Sequence, residues 1–376
     1  MERHRFIYFD SLRALAALGV LGIHVGVVSG ANARALYGSF TSHLDVGVTL
    51  FFLISSFLLY RPHAVALLED AAPPRLGPYA LHRLLRIAPA YWVALTLLAL
   101  WPGLLGVFTR DWWIFYGFGQ SYLPLGAGLG IGPAWSLSVE VAFYALLPLL
   151  AAGIAALCRS RPPSERARIA LTALALLGAA GVAFRVWVHH SRLHNLTLTL
   201  PCHLLWFAAG MALAVVSVSL TSRERSSGLA RLVVDHPSAC WLLGALIYSF
   251  VCLSPSFSRT LTAQDTTAAD ATQHVLYCLV ALLVMLPAVF GEKAGGLPHR
   301  ILGSRALTAL GAISYGFFLW HVPLLFAMSD YGVDRWLPNS RFLSLGIAIL
   351  PVAIIFGWLS YRLIEQPMMR LGRGRR

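Results

Sequence analysis

Residues 6–29 read FIYFDSLRALAALGVLGIHVGVVS, and this stretch decides what kind of fold the chain can adopt. It is longer than the roughly 20 apolar residues that cross a bilayer as a helix. It nevertheless contains Asp10, Arg13 and His24, although ionisable groups are costly in hydrocarbon. We therefore interpret the stretch as a membrane helix that borders a polar cavity.

The spacing of its charged residues supports that interpretation. Arg13 and His24 are 11 residues apart. On a helix this places them on one face, about 20° apart, with roughly 16 Å between them along the axis. Asp10 precedes Arg13 by three residues and can pair with it. Two simpler alternatives stay open from this stretch alone: His24 as a hydrogen-bonded packing residue, and Arg13 as an anchor at the membrane surface.

The composition places the whole chain in the membrane. Of its 376 residues 58% are hydrophobic and only 12% charged, and the mean hydropathy is +0.70. Soluble domains carry about 25% charged residues. The formal net charge of +13 does not indicate nucleic-acid binding, because the basic residues lie in short connections between apolar spans. None of the five cysteines forms a CxxC pair, so we expect packing residues, no disulfide framework and no metal site.

Apolar segments of this kind recur along the chain and predict an all-α, polytopic helical bundle with about ten transmembrane helices. We expect one transmembrane domain over residues 1–366 and a basic cytoplasmic tail at 367–376 near anionic lipid. The predicted spans are 6–29, 45–61, 84–107, 133–157, 168–188, 199–220, 238–254, 273–290, 306–328 and 342–363.

Lysine and arginine residues set the expected orientation. With the N-terminus inside, the outer segments hold seven of the 29 basic residues, and all the others except Arg13 lie in inner segments. This bias predicts a multi-pass protein of the cell (inner or plasma) membrane with both termini cytoplasmic. The seven outer residues are Arg34, Arg110, Arg185, Arg192, Arg259, Arg335 and Arg341.

Further polar residues interrupt the later spans. Arg83 and Arg86 are three apart and project from one helix face, where guanidinium groups can bind phosphate; an ordinary positively charged flank is the alternative. Glu140 lies in the fourth span, just after Trp135, and His321 lies in the ninth. Ionisable residues inside a membrane face a cavity or a partner by default. Ser55 and Ser56 of the second span are expected to pack helices closely.

Four blocks in this order resemble the acyltransferase-3 family of polytopic membrane O-acyltransferases: FDSLRALAALGVLGIH, LFFLISSFLLYRP, the RxxR block of Arg83 and Arg86 with Tyr91, and GPAWSLSVEVAFY. A weaker fifth block is ISYGFFLWHVPLL. The resemblance covers nearly the whole chain and implies O-acyl transfer from cytoplasmic acyl-CoA to a hydroxyl. Ser56 stands where the family more often has glycine. Many relatives also carry a fused esterase-like domain, and without one we expect this chain to act alone or with a separate protein.

The resemblance implies that His24 is catalytic and that the arginines matching Arg13, Arg83 and Arg86 serve the donor. We add Tyr91 to the donor site, Glu140 to the catalytic residues as an orienting group, and Asp10, Trp135 and His321 to the acceptor site. A neutral imidazole is a suitable base for activating a hydroxyl. We therefore expect His24 to take the acceptor proton during direct attack on the thioester. Acyl-CoA, with acetyl-CoA expected, is a co-substrate and no cofactor is bound permanently.

The sequence leaves the acceptor open among a glycan, a glycolipid or other lipid, and a macrolide-type polyketide; a homo-oligomer is also left open. A proton-coupled transporter of a lipid, sugar or acylated compound is the alternative function, with His24 and Glu140 as a proton relay. The absence of visible internal repeats disfavours it. The glycine-rich residues 126–132 follow no predicted strand and do not indicate a dinucleotide site.

Overall fold

A computed structural model describes residues 6–34, 37–123, 129–221, 228–257, 266–290 and 295–373. This part of the chain is helical and contains no strand. The first three residues of the glycine-rich 126–132 segment and residues 374–376 of the expected basic tail lie outside it. The main helices are α1 (Phe9–Ser29), α2 (Val46–Leu68), α3 (Leu76–Leu98), α4 (Trp135–Cys158), α5 (Pro163–His190), α6 (Leu200–Thr221), α7 (Pro237–Leu253), α8 (Thr267–Phe290), α9 (Arg305–Ala312), α10 (Ser314–Asp330), α11 (Arg341–Ser360) and α12 (Gln366–Arg373).

Shorter helices connect them. The α-helical turns are Ala31–Arg34, Gly38–Thr41, Trp112–Tyr116, Gly228–Asp235 and Leu297–Leu302. The 3₁₀ turns include Gln120–Tyr122, Gly132–Ala134, His194–Leu196 and Val333–Arg335, and π-helical segments occur at Ala99–Gly103 and Tyr361–Glu365.

The predicted membrane bundle is confirmed, with two of the ten expected spans shorter or broken. Eight helices of the described residues are long and apolar enough to cross a membrane, or nine if one bent pair counts as a single span. The seventh predicted span corresponds to α7, which has only 17 residues. The ninth, predicted as one helix over 306–328, is instead α9 and α10, whose axes differ by 74°.

The two arms of the bent pair make different close contacts. The α9 arm lies against α1, where a Cβ on Gly311 would collide with the backbone of Asp10. The α10 arm lies against α11, with Gly316 beside the Gly357 carbonyl. The α10 arm also contacts α1, and the chain turns at Ile313, between the two glycine contacts.

Helix α1 lies between the two apolar cores of the bundle. Leu12, Ala16 and Val20 join a core formed with α2, α4, α6 and α8. Ala17, Leu21 and Val25 form a second ridge on α1, and this ridge packs into the core that α1 shares with α3, α10 and α11. Both ridges repeat every four residues, which keeps each on its own helix face.

Small residues bring α1 and α2 close together. A Cβ on Gly47 would lie 2.6 Å from the carbonyl oxygen of Ala16, so only glycine fits at this crossing. Helices in membranes commonly associate through such small-residue contacts. Ser56 is fully buried next to Gly210 of α6, as expected of a packing residue, whereas Ser55 faces a cavity described below.

The C-terminal segment does not leave the bundle at once. After α11 the chain continues through the π-helical Tyr361–Glu365 into α12, which contacts α3. Glu365 is buried and accepts a hydrogen bond from Ser360 at 3.2 Å. The expected tail therefore begins as a helix beside the segment that carries Arg83 and Arg86.

Candidate functional site

A cavity with about 840 Å³ of empty space, its mouth included, opens among α1, α2, α3, α4 and α10. It contains the arginines of two separate sequence blocks, Arg13 of α1 and Arg83 and Arg86 of α3. It also contains Glu140 of α4. The fold thus brings together four of the predicted site residues from three helices. The rest of the lining consists of Val48, Phe51, Phe52, Ser55, Leu58, Leu59, Ile87, Ser136, Leu137, Tyr144, Ser314, Tyr315 and Phe318.

The three arginines differ in how they are held. Arg13 Nη1 lies 2.8 Å from Asp10 Oδ1, as the spacing predicts. Within the described ranges, Arg83 and Arg86 form no direct ion pair with a carboxylate, although the buried Glu365 interacts electrostatically with Arg86. Arg86 donates to the Met369 sulfur at 3.6 Å, and the buried Nε of Arg83 has no hydrogen-bond partner. Two guanidinium groups without a direct carboxylate partner make this part of the cavity suited to anions.

Glu140 is the one acidic residue in the cavity lining. It accepts a hydrogen bond from the Ser55 hydroxyl of α2. Tyr144, one turn further along α4, interacts with Glu140, and its ring lies 6.0 Å from the guanidinium carbon of Arg83. A chain of polar contacts therefore connects the arginine-bearing wall to the carboxylate across the cavity.

His24 lies deeper along α1 and is paired with His321 of α10. His24 Nδ1 lies 2.7 Å from the carbonyl oxygen of Val20, which can only accept. The neutral ring therefore carries its proton on Nδ1 and its lone pair on Nε2. In His321, Nδ1 likewise lies 2.7 Å from the Phe318 carbonyl, so Nε2 faces His24 Nδ1, 3.3 Å away, as an acceptor.

This pairing determines which His24 atom can act as a base. Nδ1 is occupied by the Val20 carbonyl and by His321, whereas Nε2 has no hydrogen-bond partner among the described residues. Phe318 connects the pair to the cavity, because its side chain lines the cavity and its ring centroid is 5.9 Å from that of His321. The imidazole pair thus lies one aromatic side chain away from the arginine cavity.

Two predicted site residues lie elsewhere. Tyr91 is fully buried, stacks on Phe118 and donates its hydroxyl to the Phe115 carbonyl at 2.9 Å. Trp135 packs against Phe52 and against His203 of α6. Of these two, only Trp135 approaches the cavity, through its contact with Phe52. Asp10 enters the site only as the partner of Arg13, and His321 only as the partner of His24.

The structure adds three residues to the site that sequence reasoning missed. Ser55 was assigned to helix packing but binds Glu140. Tyr144 follows Glu140 by four residues and therefore shares its helix face. Tyr315 of α10 lines the cavity and donates to the Ile87 carbonyl at 2.8 Å, next to Arg86. The four-residue spacing after Glu140 was the one available signal.

No cluster of three or more His, Cys, Asp or Glu residues able to hold a metal occurs in the described ranges. His189 contacts Thr267 at 3.0 Å. All five cysteines are free thiols.

Comparison with known proteins points to one family. The family model described as an acyltransferase domain, of the acyltransferase-3 type, matches residues 6–358. The O-acetyltransferases OatA of Staphylococcus aureus strains NCTC 8325 / PS 47 and COL are each 26% identical to this chain over an alignment of 386 positions that covers 96% of the chain. The chain spans 57% of the length of these relatives. No solved structure matches it.

Proposed function

Because the chain belongs to the acyltransferase-3 family, we propose that it is a membrane O-acyltransferase and that it moves an acetyl or short acyl group from cytoplasmic acyl-CoA to an acceptor hydroxyl, with His24 as general base. The observation that carries the proposal is the arrangement along α1. Arg13 shares a cavity with Arg83 and Arg86, and the His24–His321 pair lies 11 residues further along the same helix. That separation is roughly 16 Å.

The donor fits the charge of the cavity. Among the described residues, Arg83 and Arg86 form no direct ion pair, and phosphate groups are anions that guanidinium binds with two parallel hydrogen bonds. We place the phosphates of acyl-CoA on these two residues and on Arg13. The apolar walls formed by Phe51, Phe318 and neighbouring side chains then surround the pantetheine arm, which extends towards the histidines.

The base chemistry follows from the ring tautomer. The acceptor hydroxyl gives its proton to His24 Nε2 while its oxygen attacks the thioester carbonyl carbon. The carbon–sulfur bond then breaks, and the protonated imidazole returns the proton to the CoA thiolate. His321 holds the ring through its contact with Nδ1, and Val20 holds the same N–H, so Nε2 points away from both. No covalent acyl-enzyme is required.

Glu140 is positioned to orient the acceptor. Its carboxylate already accepts from Ser55, and its remaining lone pairs can accept a hydroxyl of an incoming sugar or polyketide. Asp10 keeps Arg13 in place, and Trp135 offers an aromatic surface on the acceptor side. The acceptor class we favour is a hydroxylated glycan, glycolipid or macrolide-type compound. No contact among the described residues favours the transporter alternative over the enzyme.

Donor binding tests the proposal directly. Acetyl-CoA binding by detergent-purified protein should be measured by calorimetry for the wild type, for Arg86→Ala and for Arg75→Ala. Arg75 is exposed at the start of α3 and lies outside the cavity, so it is a matched control. We expect Arg86→Ala to weaken binding and Arg75→Ala to leave it unchanged. A wild-type protein without affinity for any acyl-CoA would refute the donor assignment.

A further inference from the structure

A second groove lies on the outside of the bundle, between α5 and α6. It has about 950 Å³ of empty space, its open side included, and shares no residue with the arginine cavity. Helix α5 is the least buried of the long helices described, because only 22% of its most apolar segment is buried inside the protein. The groove therefore opens towards the bilayer.

The groove wall on α5 carries two parallel ridges of different chemistry. Ser164, Arg168 and Thr172 repeat every four residues and form a polar ridge. Ala167, Leu171 and Ala175 repeat with the same spacing and form an apolar ridge beside it. On the facing helix α6 the wall includes Val216 and Leu220. A molecule in the groove would thus meet polar groups along one side and hydrocarbon along the other.

The length of the groove matches one leaflet of a membrane. Ser164 and Ala175 are 11 residues apart on α5, which is roughly 16 Å along the helix. A bilayer has a hydrocarbon core of about 30 Å, so one leaflet contributes about half of that length. A single acyl chain inserted from the membrane surface would span the groove.

The charge at the mouth of the groove selects the headgroup. Arg168 is exposed and forms no ion pair with any described carboxylate, whereas its neighbour Arg166 is occupied by Asp70 at 2.5 Å. The Lys/Arg distribution predicts that this end faces the cytoplasm, where the leaflet surface is anionic. A free guanidinium beside a serine hydroxyl is complementary to a lipid phosphate.

We propose that the α5–α6 groove binds one anionic phospholipid of the surrounding bilayer. The phosphate lies on Arg168 and Ser164, and one acyl chain lies along Ala167, Leu171 and Ala175. The lipid site is separate from the acyl-transfer site. The proposal therefore does not depend on which acceptor the reaction uses.

The test is the retention of a defined lipid. Purified protein is mixed with phosphatidylglycerol or phosphatidylcholine in detergent micelles, and bound lipid is counted by native mass spectrometry over a lipid titration. We expect wild-type protein to retain one phosphatidylglycerol. Arg168→Gln should weaken that binding by roughly tenfold, because it removes a charge-assisted hydrogen bond. Arg161→Gln is the matched control: Arg161 is exposed in the same connection but outside the groove, and its replacement should change nothing.

A second variant tests the apolar part without changing charge. Ala175→Trp places a large ring in the groove and should also reduce retention of phosphatidylglycerol. Melting curves of each variant without added lipid show whether it is folded. Equal retention of the two lipids by the wild type, or equal retention of phosphatidylglycerol by wild type, Arg168→Gln and Ala175→Trp, would overturn the proposal. The experiment contains no acyl-CoA, so its result does not depend on the proposed reaction.

Discussion

His321 Nε2 lies 3.3 Å from His24 Nδ1, and this contact joins a histidine of α1 to one of α10. Each ring also has a backbone carbonyl at Nδ1, so the pair is held in one tautomeric arrangement. A buried imidazole with a defined lone pair is better prepared for proton transfer than a freely rotating one. The pair therefore has a positioning residue, His321, and a reacting residue, His24.

Replacing His321 by alanine should reduce the rate of acetyl transfer without weakening donor binding. The His24 ring loses one of its two restraints but keeps its Val20 contact, so the loss should be smaller than the roughly 10²–10⁴-fold expected for a missing base. Measurement of kcat and of the KM for acetyl-CoA separates the two effects. His321→Asn, which keeps a hydrogen-bonding group, should recover part of the rate. A KM increase with kcat unchanged would assign His321 to substrate binding instead.

Removal of one donor phosphate should reveal which arginine binds it. Arg83→Ala and Arg86→Ala should each weaken acetyl-CoA binding by roughly 10- to 100-fold, the range for a hydrogen bond to a charged group. Binding of 3′-dephospho-acetyl-CoA should not change when the arginine that holds the 3′-phosphate is replaced by alanine. Calorimetry with both donors and both variants gives the comparison. Equal losses for both donors in both variants would place neither arginine on that phosphate.

The crossing of α1 and α2 should not tolerate a side chain at residue 47. Gly47→Ala places a Cβ about 2.6 Å from the Ala16 carbonyl oxygen, so the helices must separate. Overpacking of this kind costs about 1–3 kcal/mol. Gly77→Ala is the control, because a Cβ there meets nothing within 4 Å. Thermal unfolding in detergent should show a lower melting temperature for Gly47→Ala only; an unchanged melting temperature for both would contradict the close crossing.

Cysteine labelling should reveal the orientation in the membrane. The five native cysteines are buried or half-buried, so a membrane-impermeant maleimide should react weakly with the wild type. Arg335→Cys, on the predicted outer side, should be labelled in intact cells. Arg75→Cys, on the predicted inner side, should be labelled only after permeabilisation. The reverse pattern would invert the topology and place the arginine cavity away from cytoplasmic acyl-CoA.

Sequence patterns were most informative where helical spacing alone decides geometry. Arg83 and Arg86 are three residues apart and do share the cavity wall. Asp10 and Arg13 do pair. Glu140, chosen because a carboxylate inside a membrane needs a partner, faces the same cavity from another helix.

The structure places other residues and segments differently from the sequence prediction. Tyr91 follows Arg86 by five residues and lies in a core, where it stacks on Phe118 and does not line the cavity. Ser55 and Ser56 are adjacent and therefore point in different directions, one to Glu140 and one to α6. The bend at Ile313 lies between the close contact of Gly311 with Asp10 and that of Gly316 with Gly357, and both contacts join segments far apart in the sequence. Contacts between distant segments, such as that of His24 on α1 with His321 on α10, cannot be read from one sequence pattern.

Acetyl-CoA binding and acetyl transfer by His24→Ala, measured side by side with the wild type, test the central claim most directly. We predict that His24→Ala binds acetyl-CoA with nearly wild-type affinity, since the arginines remain, and transfers its acetyl group at least roughly 10²-fold more slowly. A variant that loses binding and transfer to the same extent would contradict the claim, because His24 would then hold the donor or the fold instead of acting as the base.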